Sequence, residues 1–213
     1  MKGASLAEDV ATARKAGIVL AIIAVVEGGW LFVNANHRLG RFLNYTGFKD
    51  ANAGTWGWTS AAAITVLFLA YSARLPSVRS NFIRFSWLKI LAIAVAITAG
   101  FCEETIFRKV LMDALQDHGF GLVVQLAASA VAFGIGHAVW GLFRGSLVAA
   151  LGIVLVTGAL GFGLALVYLI SHRIVAPCIV AHFAMNFFAE PGLVLSALKG
   201  EMSRVRKRGM TTN

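Results

Sequence analysis

The sequence predicts an all-α membrane protein, a bundle of about six transmembrane helices, and three observations support this fold class. Hydrophobic residues make up 58% of the 213 residues, and the mean hydropathy is +0.76. Charged residues make up only 14%, whereas a soluble domain carries about 25%. Apolar runs long enough to cross a bilayer follow one another along the chain, and the alternating pattern of a β-barrel does not appear.

We expect the six spans at residues 17–33, 56–73, 87–116, 122–143, 146–170 and 174–189. The first run follows Arg14 and Lys15 and is long for the apolar part of a signal peptide. It also contains Glu27, so we interpret it as a retained membrane anchor. Pro191 is expected to end the sixth span, because proline removes a backbone donor from a helix.

The net charge of +9 does not indicate nucleic-acid binding. The positive residues lie between apolar runs and in the tail at 204–208, and they form no basic face interleaved with aromatic residues. Six spans place both termini on one side of the membrane. The termini and the loops near 74–89 and Arg144 carry most of the lysine and arginine, which predicts cytoplasmic termini and contact with anionic lipid.

Seven residues in three of the spans stand out: Glu103, Glu104 and Arg108 in the third, Phe133 and His137 in the fourth, and His182 and Asn186 in the sixth. Most of them are polar or charged. A charged side chain at the centre of a membrane costs about 3 kcal/mol on insertion scales, so it requires a partner or a function. Such residues line cavities or face the interior of a helix bundle. These residues are therefore the candidates for a functional site.

Helix geometry separates the two adjacent glutamates. Glu104 and Arg108 are four residues apart on one face, within reach of an ion pair. Glu103 lies about 100° further round the helix and is left as a free carboxylate, which suits a general base in a dry cavity. His182 and Asn186 also share a face, where the imidazole can hold a proton and the amide can donate to an oxyanion. We expect these side chains and His137 to meet in one intramembrane cavity.

The motifs Glu103-Glu104-x-x-x-Arg108, Phe133-x-x-x-His137 and His182-x-x-x-Asn186, in this order and each inside an apolar span, resemble those of the CPBP intramembrane proteases. This is the CAAX prenyl protease and bacteriocin-processing group, also called the Abi family. The resemblance covers residues 87–189. Lys109 departs from the pattern, because many relatives have glycine after the arginine.

The resemblance implies hydrolysis of a peptide bond in a membrane-associated or lipidated peptide or protein substrate. It implies that Glu103 activates water, that His137 and His182 position this water or stabilise its attack, and that Asn186 forms the oxyanion hole. Glu104 and Arg108 would hold the architecture. It also implies one integral membrane domain of a bacterial or archaeal plasma membrane, with N-terminal helices at 1–86, a catalytic core at 87–190 and a basic cytoplasmic tail at 191–213.

Several alternatives stay open at this point. Glu103, His137 and His182 could bind Zn²⁺ with water in a fourth position, although the resemblance favours hydrolysis without a cofactor. Cys102 and Cys178 form no disulfide or zinc pattern, and a buried thiol is usually inert. Buried glutamate and histidine also serve transporters, although no internal repeat is visible here. A catalytically silent scaffold or immunity protein is the third class.

Overall fold

The computed structural model describes residues 2–36, 38–49, 52–142 and 147–202. The helices are α1 (Lys2–Ala35), α2 (Leu39–Thr46), α3 (Gly54–Ser72), α4 (Pro76–Asn81), α5 (Trp87–Glu104), α6 (Leu111–Asp117), α7 (Leu122–Gly136), α8 (Val139–Leu142), α9 (Leu147–Ile170) and α10 (Ala176–Lys199), and a π-helical segment at Thr105–Val110 joins α5 to α6. No β-strand occurs in these four ranges. The predicted all-α fold is confirmed.

Five helical stretches are long and apolar enough to cross a membrane: Glu8–Ala35, Trp87–Asp117, Leu122–Gly141, Leu147–Ile170 and Ala176–Lys199. They match the first, third, fourth, fifth and sixth predicted spans. The 19-residue helix α3 lies at the predicted second span, but it is not among the five stretches that are apolar enough to cross a membrane, so a sixth span stays a prediction. The cytoplasmic orientation of the termini stays a prediction, and Arg144 and residues 204–208 lie outside the described residues.

Helix α5 lies at the centre of the bundle and packs against α1 on one side and α10 on the other, while α7 packs against α9. Small residues permit these close approaches. A methyl group added at Gly134 would lie 2.6 Å from the carbonyl oxygen of Val154 on α9, and one added at Gly100 would lie 3.2 Å from the carbonyl oxygen of Ile179 on α10. The residues before Glu103 and His137 therefore hold their helices directly against neighbouring backbones.

The third predicted span is continuous from Trp87 to Asp117, as expected, but its middle is π-helical from Thr105 to Val110. No feature of the residue pattern predicted this segment. A π-helical turn widens the helix and is frequently found at functional sites. Here it begins directly after Glu104 and contains Arg108, so it sets the direction in which that guanidinium leaves the helix.

The prediction that Pro191 ends the sixth helix is wrong. Helix α10 continues to Lys199, so the first part of the predicted tail is helical. Pro191 lacks the N–H that would bond the carbonyl of Phe187 four residues earlier. The ammonium of Lys89 donates to that carbonyl at 2.7 Å and to the carbonyl of Phe188 at 3.3 Å. A side chain from α5 thus replaces the missing backbone donor and lets the helix continue. The division into three segments otherwise stays a prediction.

Candidate active site

The predicted ion pair between Glu104 and Arg108 is present and fully buried. Arg108 Nε lies 3.1 Å from Glu104 Oε2, and neither side chain is exposed. Arg108 also donates from Nη2 to the carbonyl of Gly161 on α9 at 3.2 Å. Its guanidinium carbon lies 4.5 Å from the ring centroid of Phe133 on α7, which is a cation–π distance. One arginine therefore connects the third span to both helices of the α7–α9 pair.

His182 on α10 is held by the second oxygen of Glu104. Its Nδ1 lies 2.7 Å from Glu104 Oε1, and the imidazole is buried. A carboxylate can only accept, so Nδ1 carries a proton and Nε2 is the ring nitrogen left for another partner. Sequence reasoning assigned Glu104 to Arg108 alone. The structure shows that the same carboxylate also fixes the direction of His182.

Within the fourth span, helix α7 ends at Gly136, and a turn at His137 separates it from α8. In an α-helix the backbone N–H of His137 would bond the carbonyl of Phe133. Here the side-chain Nδ1 of His137 lies 2.9 Å from that carbonyl, and the backbone N–H turns to Gly134 at 3.1 Å. The side chain competes with the backbone for one acceptor, which tightens and ends the helix. The break places His137 at a helix terminus, with its ring fixed.

Glu103 and His137 face each other from α5 and the end of α7. Glu103 Oε2 lies 3.8 Å from His137 Nε2, and the side chains are 20% and 22% exposed. Because His137 Nδ1 donates to a carbonyl, its Nε2 carries a lone pair in the neutral ring. Glu103 Oε2 is buried and accepts no hydrogen bond from a described residue. As helix geometry predicts, Glu103 does not pair with Arg108, and its carboxylate is free to bind another group.

Phe133 lies between the two imidazoles and fixes their spacing. Its ring centroid is 4.5 Å from that of His137 and 5.9 Å from that of His182. Phe107 packs against it edge-on at 5.4 Å. The predicted convergence of Glu103, His137 and His182 therefore corresponds to one aromatic-walled site where α5, α7 and α10 meet. The functional roles of these residues stay predictions.

Asn186 lies one turn after His182 on the same face of α10, as the four-residue spacing predicts. Its side chain is half-buried and makes no hydrogen bond with a described residue. Its amide donors are therefore available. Asn186 makes no hydrogen bond with Glu103 or His137. Its position beside the site follows only from its place on α10, one turn after His182.

Two further glutamates lie near this site. Glu27 on α1 accepts a hydrogen bond from Thr98 on α5 at 3.2 Å and interacts electrostatically with Glu103, His182 and Glu190. Glu190 on α10 is 9% exposed and interacts electrostatically with Glu103 and His182. Sequence reasoning left Glu27 unexplained and missed Glu190. The signal was present, because Glu190 follows His182 by eight residues and thus continues the face of Asn186.

Lys109, the departure from the family motif, takes part in a structural network. Its ammonium lies 2.8 Å from Asp113 Oδ2, and the other oxygen of Asp113 accepts from Tyr168 at 2.8 Å and from Arg173 at 2.5 Å. Arg173 also donates to Gln125 on α7. The network joins α6, α7 and the end of α9 about one turn beyond the site. It explains why a long basic side chain is accommodated there.

The zinc alternative requires Glu103, His137 and His182 to converge on one ion. Within the described ranges, no three histidine, cysteine, aspartate or glutamate side chains come together as metal ligands. His182 directs one ring nitrogen to Glu104 and His137 directs one to a carbonyl. Both contacts leave Nε2 free and are also typical of metal-binding histidines, so the zinc alternative stays a prediction. Cys102 and Cys178 are buried free thiols, and the Cys178 thiol donates to the carbonyl of Leu164.

Comparison with protein families gave one match. The family model described as Rce1-like, type II CAAX prenyl endopeptidase Rce1-like, matches residues 85–188. The comparison with curated proteins and the comparison with solved structures each found no match. The family match confirms the resemblance to the CAAX proteases over nearly the range that carries the three motifs. It supports a protease, in the hydrolase class, that is integral to a membrane and acts on a peptide substrate.

Proposed function

We propose, from the Rce1-like family match over residues 85–188, that the chain is an intramembrane endopeptidase in which Glu103 activates water. The substrate is a membrane-associated or lipidated peptide or protein, and the scissile amide lies between Glu103 and the two imidazoles. One observation carries this proposal: Glu103 faces His137 at 3.8 Å. The neighbouring Glu104 instead contacts Arg108 and His182.

Glu103 and His137 supply the geometry for activating a water molecule. Their facing atoms are 3.8 Å apart, too far for a direct hydrogen bond, and a water molecule that contacts both groups would be held by two hydrogen bonds. In the proposed reaction the water gives a proton to Glu103 and its oxygen bonds to the carbonyl carbon. The carbon–nitrogen bond then breaks, and Glu103 returns the proton to the leaving nitrogen. His137 Nε2 accepts a hydrogen bond from the same water and directs it.

His182 and Asn186 support the opposite side of the reaction. The amide of Asn186 donates to the oxyanion that forms when water attacks, a contribution worth about 10²–10³ in rate in other acyl-transfer sites. Glu104 holds His182 through Nδ1, so the protonated ring donates from Nε2 to the same oxyanion. Glu104 and Arg108 act by positioning His182 and contact no reacting atom.

The different environments of the two glutamates support this division of roles. Glu104 is fully buried between two cationic or proton-donating partners, and a carboxylate held in this way is a poor base. Glu103 has a buried oxygen without a hydrogen bond from a described residue, which leaves it free to take a proton. No step in this scheme requires a metal ion or another cofactor.

A comparison of membrane proteomes tests the proposal even though the substrate is unidentified. Strains carrying the wild type, a deletion, Glu103→Gln and the matched control Glu8→Gln would be compared for trimmed peptides and shortened membrane proteins. Glu8 is an exposed glutamate near the start of α1. We expect the same trimmed species to be lost in the deletion and in Glu103→Gln and to persist in Glu8→Gln.

An unchanged proteome in the deletion strain would contradict the proposed protease. A proteome that changes in the deletion but is restored by Glu103→Gln would instead indicate a scaffold or immunity protein, because such a protein needs the fold and not the carboxylate. In every strain the protein level in the membrane would be measured, so that loss of cleavage is separated from loss of the protein.

A further inference from the structure

Hydrolysis inside a membrane requires a supply of water, and Glu103 lies deep. It follows Trp87, where α5 begins, by about 24 Å at the usual rise of about 1.5 Å per residue, in a span that continues to Asp117. The hydrocarbon core of a bilayer is about 30 Å thick. Each turnover consumes one water molecule at this depth, so a polar route from a membrane surface to Glu103 is a requirement of the chemistry.

Two glutamates outside the family-matched segment approach this site from one direction. Glu27 on α1 and Glu190 on α10 flank residues 85–188 in the sequence, and no motif of the family includes them. Glu27 interacts electrostatically with Glu103 and with Glu190, and Glu190 interacts with Glu103. The three carboxyl groups, from three different helices, are therefore within range of one another's charges.

Helix contacts show on which side of Glu103 these carboxyls lie. Helices α1 and α5 run side by side in the same direction, since Gly17 packs on Trp87 and Gly28 on Thr98. Glu27 is therefore level with Thr98, which donates to it, and lies nearer the start of α5 than Glu103 does.

Helices α5 and α10 run in opposite directions, since Lys89 bonds Phe187 while Glu104 bonds His182. Glu190 follows Phe187, which Lys89 contacts near the start of α5. Glu190 therefore lies at the end of the bundle where α4 precedes α5 and packs against α10. Glu190 and Glu27 therefore both lie on the side of Glu103 that is nearer the start of α5.

Among the described residues, no lysine or arginine is paired with Glu27 or Glu190. Glu190 is 9% exposed and makes no hydrogen bond or ion pair with a described residue. The ammonium of Lys89 is directed to backbone carbonyls of Phe82, Phe187 and Phe188, and Arg108 is directed to Glu104 and Gly161. An unpaired carboxyl in such a position is costly unless water solvates it, and within membranes these residues mark ion, proton and water routes.

We propose that Glu190 and Glu27 line the route by which water reaches Glu103 from the membrane surface at the start of α5. Their carboxyl groups, with the hydroxyl of Thr98 and the amide of Asn186, keep a file of water molecules stable between apolar helices. The inference rests on the proposed hydrolysis. Under this proposal α1, which lies outside the family-matched segment, helps to deliver the water that the reaction consumes.

Substitution by leucine or by glutamine separates a water route from a structural role. Leucine removes a buried, unpaired carboxyl and adds apolar surface, so Glu190→Leu is expected to keep or raise the midpoint of thermal unfolding. It is also expected to slow substrate trimming at least about tenfold because it dries the route. Glutamine keeps a polar, hydrated side chain, so Glu190→Gln is expected to stay within about threefold of the wild type. Glu27→Leu and Glu27→Gln are expected to differ in the same direction.

Two native thiols report on water directly. Cys102 directly precedes Glu103 on α5 and is 7% exposed, whereas Cys178 is fully buried and its thiol donates a hydrogen bond to the carbonyl of Leu164. Exchange of S–H for S–D after transfer of vesicles into D₂O is followed by infrared spectroscopy, with Cys178→Ala used to assign the two bands. We expect Cys102 to exchange at least about tenfold faster than Cys178, as hydration of buried polar groups predicts. Glu190→Leu and Glu27→Leu are expected to remove this difference.

The combined results separate this inference from the proposed function. Trimming is measured with membranes of the deletion strain as the substrate source and vesicles that contain each purified variant. If the leucine variants trim at the wild-type rate, or exchange Cys102 at the wild-type rate, the water route is wrong. Equal losses in leucine and glutamine variants would also overturn it, because glutamine preserves hydration. If the wild type trims nothing, the proposed protease function is wrong. Thiol exchange then still shows whether water reaches Cys102 along Glu190 and Glu27.

Discussion

Nδ1 of His182 lies 2.7 Å from Oε1 of Glu104, although 78 residues separate them in the chain. The adjacent Glu103 instead faces His137 at 3.8 Å. Two successive glutamates on one helix therefore face two different helices. Glu104 lies against both Arg108 and His182, whereas Glu103 accepts no hydrogen bond from a described residue.

The two glutamates should respond differently to the same substitution. Glu104→Gln leaves Arg108 as a buried cation without an anion, and breaking a buried pair in this way costs about 3–5 kcal/mol. We expect a clear loss of thermal stability in detergent micelles together with loss of trimming. Glu103→Gln removes a carboxylate that has no hydrogen-bonded partner among the described residues, so stability should change by less than about 1 kcal/mol. Equal destabilisation by both substitutions would contradict this division.

Lys89 should be coupled energetically to Pro191. Lys89→Met leaves the carbonyl of Phe187 without a donor, which costs about 1–3 kcal/mol in a buried position. Pro191→Ala restores the backbone N–H that can bond this carbonyl. We therefore expect Lys89→Met to be less costly in the Pro191→Ala background, by about 1 kcal/mol in a double-mutant cycle measured by unfolding. Additive effects would show that Lys89 does not replace the missing donor.

The anchoring of α4 should weaken in acid. Burial raises the pKa of Glu201, but hydrogen bonds from Ser77 and Ser196 outweigh burial, and the pKa lies below its ordinary value of 4.5. The donors are the N–H and Oγ of Ser77 at 3.0 and 2.7 Å and Oγ of Ser196 at 2.8 Å. Because the folded pKa is lowered, the stabilisation is complete above the ordinary pKa and is lost as pH falls through the folded pKa.

Thermal unfolding of the wild type and Glu201→Gln over the acidic range checks this expectation. The difference between the two melting temperatures should be largest near neutral pH and should shrink in acid, where the wild-type carboxyl is protonated as well. A difference that is independent of pH would show that the charge of Glu201 does not anchor α4.

Removal of metal ions should leave trimming intact. We propose hydrolysis without a metal, and no three histidine, cysteine, aspartate or glutamate side chains of the described residues come together as metal ligands. Treatment of purified protein in vesicles with a strong chelator is expected to leave the rate within about twofold of the untreated rate, since no zinc-bound water would be required. Loss of trimming that Zn²⁺ restores would favour the alternative, with Glu103, His137 and His182 as ligands.

Local periodicity predicted the parts of the site that depend on one helix. The Glu104–Arg108 pair and the shared face of His182 and Asn186 follow from a four-residue spacing, and the structure shows this pair and this placement. Contacts between helices were beyond such reasoning. The bond from Glu104 to His182 depends on how α5 and α10 pack, which no spacing within either helix specifies.

The helix ends were predicted least well, because tertiary contacts override the local signals. Pro191 usually ends a helix, but Lys89 from another span supplies the missing donor. His137 lies within an apolar run, but its own side chain takes the carbonyl of Phe133 and ends α7. In both cases a polar side chain competes for, or replaces, one backbone hydrogen bond, and hydrophobic periodicity does not contain that information.

Purified wild type, Glu103→Gln and Glu8→Gln in vesicles, mixed with membranes of the deletion strain, test the central claim most directly. Release of trimmed peptides is followed by mass spectrometry, and thermal unfolding is measured on the same samples. We predict that Glu103→Gln has the same melting temperature as the wild type but releases peptides at least about a hundredfold more slowly, as expected for loss of a general base. Glu8→Gln is expected to match the wild type in both measurements. Release by Glu103→Gln at the wild-type rate would show that another group activates the water.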